Sequence, residues 1–200
     1  MRYPLGAFEL ILKENLLQES EARTLHRQLL ADLPWTRDQI RLFGRWVSIP
    51  REQCWIGDSG LHYRYSGVTL QPHPWPDWLE PIRDCVNAAA GESFNSVLCN
   101  HYRGGRDSMG WHSDDEPELG PDPIIASVTL GEPRRFHFRH RHDRHRRLQL
   151  TLPHNSLLIM PAGLQREWQH QLPKSQRAMG SRINLTFRRI VQAAANPETP

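Results

Sequence analysis

Two histidines and one aspartate are the residues of this sequence most suited to chemistry. His112 and Asp114 stand two apart in "MGWHSDDEPELG", and His170 lies in the distant segment "EWQHQL". Residues two apart on an extended segment point to the same side, so His112 and Asp114 can bind one metal ion together. Two imidazoles and one carboxylate are the ligand set of mononuclear Fe(II) oxygenases. The same ligands would suit a zinc hydrolase, and the His-x-Asp pair alone could belong to a solvated acidic loop.

A strand with two arginines begins 12 residues after His170, in "SRINLTFRR". Alternation along a strand places Ile183, Leu185 and Phe187 on one face. The opposite face is polar and carries Arg182, Asn184, Thr186 and Arg188. Such a face could be exposed to water or could line the mouth of a barrel.

A bound Fe(II) would give this polar face a purpose. 2-Oxoglutarate could chelate the iron through its keto acid, and its far carboxylate would then need a buried cation. Arginine suits that role because its planar guanidinium pairs with a carboxylate through two hydrogen bonds. Arg182 and Arg188 are well placed for it, and Asn100 and Tyr102 in "CNHYR" could add neutral donors. A zinc hydrolase would leave both arginines unexplained.

Composition limits the kinds of protein this chain can be. Its 200 residues favour one domain over two, and 38% hydrophobic content is ordinary for a folded protein. Its three dispersed cysteines argue for a reducing compartment and against a disulfide framework. No apolar run approaches the roughly 18 residues needed to cross a bilayer. We expect a cytoplasmic monomer.

Positive charge is concentrated in the segment 134–147, "RRFHFRHRHDRHRR". Seven arginines and one aspartate give it a net charge of +6, which leaves −3 for the rest of a chain whose total is +3. We expect phosphate contacts here, with Arg139 and Arg141 among them. Its four histidines are poor metal ligands because charged arginines separate them.

Two helices and two hairpins are predicted in the N-terminal part. Helical spacing of apolar residues predicts one helix in "SEARTLHRQLLADLPW", capped by Ser20 and stopped by Pro34. A second helix is predicted in "PDWLEPIRDCVNAAAG", ending at Gly91. The hairpins are expected around "IRLFGRWVSIP" and "GLHYRYSGVTL".

From Phe94 onward, short β-rich segments follow one another without a helix between them. They are "FNSVLCNHYR", "IIASVTLG", "RRFHFRHR", "RLQLTL", "SLLIMPA", "EWQHQL" and "SRINLTFRRI". Many short strands predict a sandwich or jelly roll. We therefore expect a single, mainly β (α+β) domain, with N-terminal helices over about 1–93, a jelly-roll core over about 94–190 and a loose tail over about 191–200.

The order of these motifs is more specific than any one of them. A His-x-Asp pair, a distant histidine and then Arg-x-Asn-x-Thr-x-Arg resemble the AlkB family of Fe(II)/2-oxoglutarate dioxygenases, and within it the branch that repairs duplex DNA. The resemblance extends from about "LFGRWVSIPRE" to "RINLTFRRI" and includes "GDSGLHYRYSG", "WHSDDEPELGP" and "SLLIMPAGLQREWQHQLP".

The resemblance implies a double-stranded β-helix (jelly roll) core under a nucleotide-recognition lid, with Fe(II), 2-oxoglutarate and O2 as cofactors. It assigns the iron to His112, Asp114 and His170. It assigns the carboxylates of 2-oxoglutarate to Arg182 and Arg188, with hydrogen bonds from Asn100, Tyr102 and Asn184.

The implied reaction is the oxidative dealkylation of nucleic-acid bases, releasing formaldehyde, succinate and carbon dioxide. The implied lesions are 1-methyladenine and 3-methylcytosine, with etheno adducts as further candidates, in DNA and, as a second candidate, RNA. Such a protein would be nucleoid-associated in a bacterium and nuclear in a eukaryote. Tyr63 and Tyr65 would belong to the lid over the base, His112 would pack near its other face, and Glu116 would reach a polar edge.

A base inside a duplex must leave the stack before a buried site can oxidise it. Phe43 in "RLFGRW" matches the apolar finger that fills the resulting gap in duplex-preferring relatives. Phe43 could equally be a core residue of a hairpin, and Tyr63 and Tyr65 could be one-sided aromatic packing on a strand.

Two other functions remain open. A 2-oxoglutarate-dependent hydroxylase of a small molecule or protein would need the same iron ligands and arginines, but not the 134–147 segment, the lid tyrosines or Phe43. A catalytically silent nucleic-acid-binding jelly roll would have no reason to keep the three ligands and both arginines.

Overall fold

The computed structural model describes residues 1–42, 44–61, 63–65 and 68–191. Seven antiparallel strands form a large sheet, in the order β1 (Arg2–Leu5), β2 (Phe8–Glu14), β13 (Ser156–Met160), β10 (Ile125–Gly131), β15 (Arg182–Arg188), β8 (Ser96–Tyr102) and β5 (Glu52–Gly57). Four strands form a small sheet, in the order β12 (Arg147–Leu152), β11 (Arg134–His140), β14 (Trp168–Leu172) and β9 (Met109–His112). All seven strands predicted from Phe94 onward are present.

The remaining elements flank these sheets. Both predicted hairpins form, as β3 (Gln39–Leu42) with β4 (Arg45–Ser48) and as β6 (Tyr63–Tyr65) with β7 (Val68–Leu70). The helices are α1 (Glu19–Asp32), α2 (Glu80–Ala90) and the single turn α3 (Leu164–Glu167), and a 3-10 turn covers Pro117–Leu119. None of the helices in the described part of the chain is long and apolar enough to cross a membrane.

The large sheet has a hydrophobic core on each of its faces. Under α1 and α2 the core includes Leu25, Leu29 and Val86 from the helices, with Ile183 and Phe187 from β15. Between the two sheets a second core is built by apolar side chains of both, including Tyr102, Ile125, Phe136, Phe138, Leu158 and Trp168. Two facing antiparallel sheets that share a core are the layered arrangement of a jelly roll, so the predicted fold class is confirmed.

The start of the chain differs from the prediction. Before α1 the chain forms the hairpin β1–β2, and β2 pairs with β13 at the edge of the large sheet. β1, β2 and β5 all belong to the large sheet and all precede residue 94. The predicted boundary near residue 94 therefore does not separate an N-terminal helical part from the strands of the core. Short strands at a sheet edge are specified by their tertiary partner more than by local propensity.

The cap of α1 also differs from the prediction. Gln18, not Ser20, is the N-cap, and it forms a capping box with Glu21. The predicted end of α2 is confirmed, because Gly91 adopts a left-handed conformation with φ 67° at the C-cap. The single-domain organisation stays a prediction, and the tail from 192 to 200 lies outside the described residues.

Register across the strands places the polar residues. On β15, Arg182 lies opposite Tyr102 of β8, and Asn184 lies opposite Asn100. Since Ile183, Leu185 and Phe187 pack under the helices, the polar face of β15 is turned toward the small sheet. The predicted alternation is thereby confirmed, and the polar face lies inside the barrel rather than in water.

Candidate active site

Three predicted metal ligands meet between the sheets. His112 on β9 and His170 on β14 are cross-strand partners, and Asp114 follows β9 by two residues. The ligand atoms of the three side chains all lie within 4.8 Å of one another. His170 Nε2 is 3.6 Å from Asp114 Oδ2, and both side chains are almost fully buried. This geometry can hold a single divalent ion.

The protonation states suit a cation. His112 Nδ1 lies 2.8 Å from the carbonyl oxygen of Gly110, so its N–H donates there and leaves Nε2 with a free lone pair. Burial, reinforced by the charge of Arg188, lowers the pKa of His170 to about 3 and keeps that imidazole neutral. Burial opposes ionisation of Asp114, but the charge and the hydrogen bond of Arg188 help to lower its pKa to about 2.

The loop that carries Asp114 is fixed by buried hydrogen bonds. The Asp114 backbone N–H donates to Gln165 Oε1 at 3.1 Å, and the Ser113 hydroxyl donates to the Trp168 carbonyl at 2.9 Å. The Arg188 guanidinium donates to Asp114 Oδ1. A charged, hydrogen-bonded partner stabilises the carboxylate in its ionised form.

The second site is a cavity behind the metal cluster, and Asn100, Tyr102, Asn184, Arg188 and His170 line it. Arg182 does not line this cavity itself but is fully buried next to the wall residue Tyr102, with its guanidinium carbon 5.3 Å from the centre of the Tyr102 ring. Its Nη2 donates to Thr129 Oγ1 at 2.9 Å. Burial lowers the pKa of Arg182 to about 10, which leaves it charged near neutral pH.

Two donors of Arg182 are unsatisfied. Its Nε and Nη1 are buried without a hydrogen-bond partner among the described residues. Leaving charged donors unpaired in a protein interior is costly. A carboxylate would satisfy both at once, so the residues present fit 2-oxoglutarate in this cavity and Fe(II) at the adjoining cluster.

Asn184 already has hydrogen-bond partners within the protein, and its predicted contact with 2-oxoglutarate stays a prediction. Its side-chain NH2 donates to Ser127 Oγ at 3.0 Å and to the Val128 carbonyl at 3.2 Å, and its Oδ1 accepts from Arg182 at 3.5 Å. The NH2 is therefore already committed to β10. Asn184 lines the cavity, but its clearest contribution is to hold Arg182 in place.

A separate cavity opens on the other side of the metal ligands. Its apolar walls are Trp55, Leu98, Leu119 and Ile190, and Arg51 and Glu116 supply polar groups. His112, Asp114 and Arg188 line both cavities. Glu116 Oε2 is buried without a hydrogen-bond partner in the described part of the chain. A flat, partly apolar ligand with polar edges suits such a cavity.

Two of the arginines predicted to contact nucleic acid, Arg139 and Arg141, contact other side chains of the protein. Arg139 donates twice to Gln169 Oε1, at 3.0 and 2.8 Å, and lies 4.3 Å over the ring of Trp111. Arg141 pairs with Asp115. Phe43 lies outside the described residues, and the backbone of Tyr63 and Tyr65 forms β6.

Two residues of the site went unnoticed in the sequence. Thr129 supports Arg182, and Arg51 lines the partly apolar cavity and contacts Asn100 of the other cavity. Alternation within "IIASVTLG" could have placed Ser127 and Thr129 on one face of β10. No local pattern marks Arg51, because only the pairing of β5 with β8 brings it to the site.

One buried and one half-buried histidine and a buried aspartate lie on a jelly roll, next to a buried arginine with two donors that have no partner among the described residues. Together they define the class of mononuclear Fe(II) oxygenases. Residues 9–188 match the family model of the 2OG-Fe(II) oxygenase superfamily. The chain is 41% identical over 186 residues to DNA oxidative demethylase ALKBH2 of Mus musculus, covering 88% of this chain and 78% of that protein.

A second relative and a solved structure agree. The chain is 37% identical over 201 residues to alpha-ketoglutarate-dependent dioxygenase alkB homolog 3 of Bos taurus, covering 94% of this chain and 68% of that protein. The structure of OsALKBH1 superposes with a TM-score of 0.65 at 20% identity, covering 90% and 97% of the two chains, and shows the same fold. This chain belongs to the AlkB family of the 2OG-Fe(II) oxygenase superfamily, the dioxygenases that use Fe(II), 2-oxoglutarate and O2.

Proposed function

We propose that this dioxygenase removes N-linked alkyl groups from DNA bases, with 1-methyladenine and 3-methylcytosine as its main lesions and etheno adducts as further substrates. The observation that carries the proposal is the partly apolar cavity that shares His112, Asp114 and Arg188 with the cosubstrate cavity. A base in the first cavity and 2-oxoglutarate in the second would lie on opposite sides of one metal ion. The ALKBH2 relatives are named DNA oxidative demethylases, which supports the same substrate class.

The chain's own residues would bind and orient the reactants. His112, Asp114 and His170 would hold Fe(II), and Arg182 would pair with the far carboxylate of 2-oxoglutarate, assisted by Tyr102 and Asn100. Bound Fe(II), 2-oxoglutarate and O2 supply the oxidant that hydroxylates the alkyl carbon, and succinate and carbon dioxide are released. The hydroxylated methyl group then leaves the base as formaldehyde.

The partly apolar cavity would recognise the base. Trp55 and Leu98 provide apolar walls for a ring. The Glu116 oxygen, which has no partner among the described residues, can accept a hydrogen bond from an exocyclic amino group. N1-methyladenine and N3-methylcytosine are cationic, so a nearby carboxylate favours them over unmodified bases. A blocked Watson–Crick edge also makes it cheaper for the base to leave the stack.

Further parts of the proposal concern the context of the lesion. We place Tyr63, Tyr65 and Phe43 in the lid and finger, and assign phosphate contacts to Arg139 and Arg141. RNA is a second substrate class. We propose that the protein acts as a monomer wherever cellular DNA is kept, which is the nucleus in a eukaryote.

The test is formaldehyde release from an oligonucleotide containing one 1-methyladenine, in single-stranded and duplex form. Release should require both Fe(II) and 2-oxoglutarate. His170→Ala should lose activity, because one imidazole ligand is missing. Arg27→Ala, on the exposed side of α1, should retain it.

The comparison of single-stranded with duplex oligonucleotide also tests the proposed role of Phe43. Efficient release from the duplex that falls selectively in Phe43→Ala would support a wedge role for Phe43. Absence of formaldehyde from both substrates, together with succinate formation from another substrate, would contradict the proposed function and keep the iron site.

A further inference from the structure

Arg51 lies buried between the two cavities. It is 8% exposed and lines the proposed base cavity. Its backbone is held in place, because its N–H donates to the Ile49 carbonyl and the preceding Pro50 carbonyl accepts from Ser108 N, both at 2.9 Å. Among the described residues, its side chain pairs with an amide oxygen and with no carboxylate.

That amide belongs to Asn100, which lines the cosubstrate cavity and is 2% exposed. Arg51 Nε lies 2.8 Å from Asn100 Oδ1. A guanidinium has donors and no acceptor, so the Asn100 atom that faces it must be the carbonyl oxygen. The NH2 group of Asn100 must then point the opposite way, as a donor.

We propose that Arg51 is a positioning residue that fixes the orientation of the Asn100 amide, so that its NH2 donates to 2-oxoglutarate. Without Arg51 the amide can rotate by half a turn and present its oxygen to the anionic cosubstrate, which replaces an attraction with a repulsion. A residue in the wall of the base cavity would thus control affinity for the cosubstrate. The inference rests on the family's use of 2-oxoglutarate, and not on the identity of the nucleic-acid substrate.

The experiment measures the 2-oxoglutarate Kd of the Fe(II)-loaded protein without oxygen or nucleic acid, by calorimetry and by the charge-transfer absorption of the complex. Arg51→Met keeps the side-chain length and removes the donor, and should weaken binding about tenfold, the value of one hydrogen bond to a charged group. Arg51→Lys retains a donor and should recover most of the affinity. Arg27→Met makes the same chemical change on the exposed face of α1 and should leave Kd unchanged.

A double-mutant cycle separates orientation from packing. If Arg51 acts through Asn100, Arg51→Met should have no further effect on Kd in an Asn100→Ala background. Equal loss in both backgrounds, or an Arg51→Met protein that binds 2-oxoglutarate as tightly as the wild type, would overturn the proposal.

A second variant keeps the test decisive if Arg51→Met does not fold. Asn100→Asp preserves the shape and the acceptor for Arg51, but has no NH2 to donate. It should bind 2-oxoglutarate at least about tenfold more weakly than the wild type. Unchanged affinity would show that the direction of the Asn100 amide does not matter. Since no nucleic acid is present, neither result depends on the proposed lesion.

Discussion

Asp114 brings opposing requirements together in one side chain. It must be buried to bind a metal away from bulk water, and burial alone would raise its pKa. The charge and the hydrogen bond of Arg188 oppose that effect, so the carboxylate is ionised before any metal arrives. The acids that follow it in "DDEPELG" have other surroundings: Asp115 is exposed and pairs with Arg141, and Glu116 points into the base cavity.

This division predicts different results for two acids of the same loop. Asp114→Ala should lower turnover by more than about 100-fold, because a direct metal ligand is lost and changes even in supporting residues cost 10–100-fold. Glu118→Ala should change turnover little, because Glu118 lines neither cavity. Formaldehyde release and Fe(II) affinity, measured for both variants, test this. Comparable losses in both would contradict the assignment.

At the scale of elements, the site depends on strands whose two faces differ. β15 packs Ile183 and Phe187 under the helices, while on its other face Arg188 lines the cosubstrate cavity and Arg182 is buried against Tyr102. Helix α1 supports this sheet from outside, where His26 packs against Gly131 at the end of β10. A Cβ on Gly131, which has φ 89°, would come within 2.9 Å of His26 Nε2.

His26 should make the free energy of unfolding of the protein depend on pH. Burial, and then the charges of His154 and His101, lower its pKa in the folded protein, and its Nε2 has no hydrogen-bond partner among the described residues. As pH falls below the ordinary histidine value, the unfolded chain takes up a proton that the folded protein resists. The free energy of unfolding should therefore decrease with falling pH.

Replacing the imidazole with a neutral side chain of similar length tests this sign. Denaturant unfolding of the wild type and of His26→Gln at pH 7.5 and pH 5.5 should show a smaller loss of stability in the variant. Equal losses would mean that His26 titrates alike in both states. The two histidines that act on His26, and the carboxylates that pair with them, are the same in both proteins. These pairs are His154 with Glu19 and His101 with Glu52, so the comparison isolates His26.

At the scale of the molecule, charge is distributed unevenly. The 134–147 segment carries +6 in a chain whose total is +3. Many arginines elsewhere pair with carboxylates, including Arg2, Arg23, Arg83, Arg103 and Arg166. Arg135 and Arg144 are exposed and form no ion pair within the described residues. An unneutralised cationic surface attracts phosphates in a salt-dependent way.

This predicts a measurable change in salt dependence. Arg144→Ala should reduce the slope of log K against log salt by about 0.7 to 0.9 for oligonucleotide binding, if it neutralises one phosphate. Arg27→Ala, on the exposed face of α1, is the matched control and should leave the slope unchanged. Fluorescence anisotropy between low and physiological salt gives both slopes. An unchanged slope in Arg144→Ala would remove this side chain from the phosphate contacts.

Local pattern determined much of the site. A strand repeats every two residues, so spacing alone showed that His112 and Asp114 share a side and that Arg182 and Arg188 lie opposite Ile183 and Phe187. Seven strands and two helices followed from the same periodicities. The family resemblance in those motifs supplied the cofactors, and the comparisons confirmed them.

Tertiary structure decided what no local pattern contains. Strand register brought His170 opposite His112, and the pairing of β5 with β8 brought Arg51 to Asn100. The hairpin β1–β2 was missed because an edge strand is stabilised by its partner. Arg182 is buried with two donors that find no partner in the described part of the chain, and this burial also depends on residues distant in the sequence. Side-chain direction is set by neighbours in sequence, whereas pairing, burial and charge depend on neighbours in space.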